Sequence, residues 1–80
     1  MLLEMRLKKA AVIAALDISL KRMYRSPERC ARNLMELGLG AFPDKLSAKE
    51  QSAVLEELLS ICKSGDTAKV RELFFTCFLY

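Results

Sequence analysis

The sequence predicts an all-α protein, a small four-helix bundle built from two helical hairpins. Apolar residues recur at helical spacing along nearly the whole chain. No alternating polar–apolar run of useful length occurs, and β-branched residues are sparse. Turn formers gather at Ser26-Pro27, across 38–47 and at Ser64-Gly65-Asp66, which divides the chain into four.

The first helix is expected over 2–24. Leu2, Met5, Val12, Ile13, Leu16, Leu20 and Met23 form one apolar stripe. Leu3, Leu7, Ala10, Ala14 and Ile18 form a second, nearly opposite. A helix of a lone bundle needs only one greasy face, so the second stripe is spare. Its alanines would let another helix approach closely. Ser26 is placed to cap the second helix, Pro27 suits its first position, and Glu28 favours the positive end of its dipole. That helix is expected over 27–37, with Cys30, Ala31, Leu34 and Leu37 inward and Gly38 as its stop.

Residues 38–47 read as a loop in which Leu39 and Phe42 plug the end of the core. Ser47-Ala48-Lys49-Glu50 is a capping box opening a helix over 48–63. This helix buries Val54, Leu55, Leu58, Leu59, Ile61 and Cys62. Asp66 then caps a fourth helix over 67–79, whose main face is Val70, Leu73, Phe74, Cys77 and Phe78. Phe75 and Leu79 fall off that face. An aromatic ring left in water is wasteful, so both join the second stripe of helix 1 as the expected partner-binding surface.

Eighty residues make a single helical domain, 1–80. A chain of this size buries only about 60–65% of its unfolded surface. Such domains lean on disulfides, a metal or oligomerisation. Its 52% hydrophobic content fits the last, and a homodimer is expected. A different protein partner would satisfy the same apolar stripe.

Several chemistries are set aside. There is no histidine, so the commonest general base and the Cys–His and Ser–His pairs are missing. Cys30, Cys62 and Cys77 are odd in number and widely spaced, and fit small buried hydrophobes better than metal ligands. No phosphate-binding loop motif is present. The expectation is therefore a non-catalytic interaction module with no cofactor. The longest early apolar run, 10–16, is far short of a membrane span, and no signal-peptide pattern precedes it, so a cytoplasmic location is expected.

The net charge of +3 is unevenly spread. Lys21, Arg22, Arg25, Arg29 and Arg32 crowd the corner between helices 1 and 2, opposed there only by Glu28. Such a patch could meet phosphates, so the alternative expectation is a small nucleic-acid-binding regulator using these five residues. Lys21 and Arg22 also suit the C-terminal end of a helix, where the dipole favours cations.

Overall fold

The computed structural model describes residues 2–80. Four α-helices make up the fold: α1 (Leu2–Lys21), α2 (Pro27–Ala41), α3 (Ala48–Ser64) and α4 (Thr67–Phe74). A π-helical turn, Phe75–Leu79, continues α4 without a break. No strand occurs among the described residues. Helix α1 packs on α2, α2 on α3, and α3 on α4, so two hairpins lie side by side with α2 and α3 between them.

The core draws on every helix. Val12 and Leu16 of α1 meet Cys30, Ala31, Leu34 and Met35 of α2, Leu58 and Cys62 of α3, and Val70, Phe74 and Phe78 beyond. The rings of Phe74 and Phe78 lie 5.0 Å apart, centroid to centroid. Among the described residues no polar or charged side chain is buried. Hydrophobic burial and close packing therefore hold the fold together.

Three boundaries differ from expectation, each for a physical reason. Helix α1 ends at Lys21, not at Tyr24. Residues 22–25 tighten into turns in which the Arg22 amide reaches Ser19 O (3.1 Å) and the Arg25 amide reaches Arg22 O (3.1 Å). A proline disfavours helical geometry in the residue before it, and Ser26 is accordingly at φ −149° and ψ 81°. Met23 still tucks into the core from this turn.

Helix α2 does not stop at Gly38 but runs through Gly40 to Ala41. Gly38 is buried, and a Cβ there would overlap the Phe78 ring. Its role is close approach rather than termination. The loop shrinks to 42–47 accordingly, with Leu39 and Phe42 both half-buried.

The fourth helix changes pitch at Phe75. The Tyr80 amide bonds to Phe75 O at 3.0 Å, an i to i+5 contact. Two lysines fasten this segment from elsewhere. Lys9 Nζ of α1 donates to Leu79 O at 2.9 Å, and Lys45 Nζ donates to Tyr80 O at 2.9 Å. Cations beside the carbonyl end of a helix are favourably placed.

The other caps follow the sequence. Ser47 Oγ accepts from the Glu50 amide (3.2 Å), and the Ser47 amide donates to Glu50 Oε1 (2.9 Å). The amide of Ser47 holds the Glu50 carboxyl below its ordinary range. Gly65, at φ 79°, ends α3 in the left-handed conformation. Asp66 Oδ1 accepts from the Lys69 amide at 3.1 Å.

Cys30 and Cys62 are buried, while Cys77 is half-buried. Burial raises all three thiols, and pushes Cys62 up to about 12. The thiolate is the reactive form. Under native conditions at mildly alkaline pH, Cys77 is expected to alkylate first, and Cys62 at least about a hundredfold more slowly than in the unfolded chain. Peptide mass spectrometry after timed iodoacetamide exposure checks this; equal labelling of all three would contradict the packing.

Candidate functional site

Two surface features stand out, an apolar face on α1 and a basic cleft where α1 turns into α2. The apolar face carries Leu3, Leu7, Ala10, Ala14 and Ile18, all exposed. Leu3 keeps 67% of its surface in water, Leu7 62% and Ile18 58%. These residues recur at intervals of four, three, four and four, so they line one side of the helix. The opposite side, from Val12 onward, completes the core.

Leu2 and Met5, expected in the core stripe, are exposed as well. Twenty residues give α1 a length of about 30 Å, against about 22 Å for α2. The first turns of α1 therefore extend past the end of its hairpin partner. Lys8 lies near this end, with its ammonium 5.1 Å from the centre of the Phe42 ring.

At the other end of the chain the expected pair divides. Phe75 is half-buried, with the Arg71 guanidinium 4.7 Å over its ring and the Tyr80 ring 6.0 Å away. Arg71 Nε also reaches Asp17 Oδ1 at 3.2 Å, which ties this corner to α1 beside Ile18. Phe75 thus lies at the margin of the apolar face. Leu79 does not join it, being only 5% exposed and part of the core. The expectation placed Leu79 outward by running an α-helix to the end. A turn with i to i+5 bonds holds more residues, so each advances by less than an α-helical step. That rotation carries Leu79 inward beside Phe78.

The basic residues are all exposed, but they are not equivalent. Arg22, Arg25 and Arg29 line a cleft of about 650 Å³, with Ser26, Asn33 and Ile18 among the other walls. Lys21 and Arg32 lie outside that lining. Tyr24 Oη accepts a bond from Arg25 Nε at 3.1 Å, which fixes one guanidinium. Glu28, the carboxylate nearest in sequence, pairs instead with Lys63 of α3 at 3.5 Å. Ser26 stands at the cap position of α2, but its side chain makes no capping bond. The Glu28 and Arg29 amides therefore gain no acceptor from it.

Sequence reasoning named the arginines and missed Ser26 and Asn33 as their neighbours. The signal was present: Ser26, Arg29 and Asn33 stand at i, i+3 and i+7, one face of a helix. Ile18 belongs to both the apolar face and the cleft.

Among the described residues, no three His, Cys, Asp or Glu side chains converge as a metal site requires. None of the described helices is long and apolar enough to cross a membrane. The chain is a small all-α bundle bearing an uncovered helix face and a basic cleft. No protein-family model matches it, and no curated protein or solved structure is significantly similar.

Proposed function

We propose that this chain is a non-catalytic helical module that self-associates as a homodimer through the outer face of α1. The observation that carries this reading is the exposure of Leu3, Leu7 and Ile18 along one side of a helix whose other side is core. Exposed apolar patches larger than a few hundred Å² are rare on monomeric proteins and mark contact surfaces.

The pattern favours a second copy as the occupant. Large residues sit at the ends of the face and alanines at its middle. In an antiparallel pairing centred between Ala10 and Ala11, Leu3 lies opposite the partner's Ile18. Leu7 lies opposite the partner's Ala14. A two-fold interface needs this self-complementarity. Small residues at the crossing point let two helix axes come within about 8 Å.

Light scattering behind size exclusion, at two widely separated concentrations, tests the reading. The expected mass is twice the 9.0 kDa chain. Ala14→Arg places a charge against the partner's Leu7 and Ile18→Glu places one at an end; each is expected to weaken association about a hundredfold or more. A native chain that stays monomeric at both concentrations sinks the proposal. So does an Ala14→Arg variant that remains a dimer.

A further inference from the structure

The basic cleft is a feature that self-association leaves unused. We propose that it binds a small molecule carrying a phosphate monoester or diphosphate group. The anionic group would sit among Arg22, Arg25 and Arg29 at the start of α2. This inference does not depend on the dimer.

Charge is the first argument. Three arginines line one concavity with no carboxylate among its walls. The nearby acids are engaged elsewhere, Glu28 with Lys63 and Asp17 with Arg71. Guanidinium groups stay protonated at any physiological pH and match phosphate oxygens with paired donors. Packing three together costs repulsion that a ligand with two or more negative charges removes.

The local backbone is the second argument. Ser26 leaves its hydroxyl unused as a cap, so it is free to donate to a ligand. Beside it, the first amides of α2 point out of a helix of 15 residues, at the positive end of its dipole. The cleft thus lies beside the start of α2, where the Glu28 and Arg29 amides receive no capping bond from Ser26.

Size and shape decide the class of ligand. The cleft, about 650 Å³, is within the range of small-molecule sites and larger than a bare phosphate. Asn33 offers the remainder of the ligand an amide. A nucleic-acid strand presents single charges spaced along a backbone and calls for an extended track. Lys21 and Arg32, which would lengthen such a track, stand outside the lining. The concave group of three fits a compact polyanion better.

Isotope-labelled protein titrated with sodium pyrophosphate provides the test, followed by NMR at the backbone amides and arginine Nε positions. The same titration with random duplex DNA is the parallel arm. The expected result is saturable shifts at Glu28, Arg29 and the three arginine side chains, with half-saturation below about 1 mM. Arg29→Gln is expected to weaken pyrophosphate binding about tenfold, and Arg32→Gln less than about twofold. Thermal unfolding of each variant verifies that it is folded. Shifts spread evenly over the lysines, or none that saturate by about 10 mM, overturn the proposal. Duplex DNA bound in preference to pyrophosphate, and weakened equally by Arg32→Gln and Arg29→Gln, overturns it in favour of a phosphodiester track.

Discussion

Phe78→Ala is expected to lower the melting temperature by about 15–30 °C, leaving a large fraction of the chain unfolded at the upper end of that range. The Phe78 ring is fully buried, 5.0 Å from Phe74, and its edge lies against the Gly38 backbone. Removing a buried phenyl group costs about 3–5 kcal/mol, because the lost transfer energy is joined by an unfilled cavity. A chain of 80 residues has a total stability on the order of 4–12 kcal/mol, so one ring is a large share of it. Phe75→Ala provides the contrast. That ring is half-buried and held by Arg71 and Tyr80, so about 1–2 kcal/mol is expected. Thermal and urea unfolding followed by circular dichroism rank the two. Equal losses would mean that the core is not centred on Phe78.

Gly38→Ala and Gly40→Ala should move stability in opposite directions. Both glycines lie inside α2, where alanine is the better helix former by about 0.5–1 kcal/mol. At Gly40 the new methyl group meets open space, so that gain is expected in full. At Gly38 it meets the Phe78 ring, which has no room to retreat. Overpacking costs about 1–3 kcal/mol or more, enough to reverse the sign. The cause can be isolated with a double-mutant cycle. In a Phe78→Leu background, Gly38→Ala should cost at least about 0.5 kcal/mol less than in the native chain. Additive effects would show that the Gly38 contact is not with that ring.

The fold was legible because its elements are local. Ser47 with Glu50, Asp66 and Gly65 announce helix ends through bonds within a few residues, and the structure places all of them as read. What escaped depended on partners far away in sequence. Gly38 reads as a stop until Phe78, forty positions on, is known to lie against it. Leu79 reads as exposed until the helix changes pitch. The overhang of α1 follows from its length against that of α2, and the spacing that put Leu2 and Met5 in the core stripe carries no sign of where the partner helix ends. At the candidate surfaces, the apolar stripe was legible from spacing alone. The cleft was legible only as charge, because its concavity arises from the turn at 22–25.

The bond from Lys9 to Leu79 joins residues 70 positions apart, whereas α1–α2 and α3–α4 are joined by short turns. Closing a long loop loses more chain entropy than forming a hairpin. Local contacts form sooner for that reason, which sets an order of assembly. Each hairpin can form from its own neighbours, and the packing of α2 on α3, with Lys9 tying the first helix to the last, completes the molecule. An interaction made after the rate-limiting step adds little to the speed of folding and slows the reverse process. The lysine clasp is thus expected to act as a brake on opening, on how long the finished fold lasts rather than on how quickly it is reached.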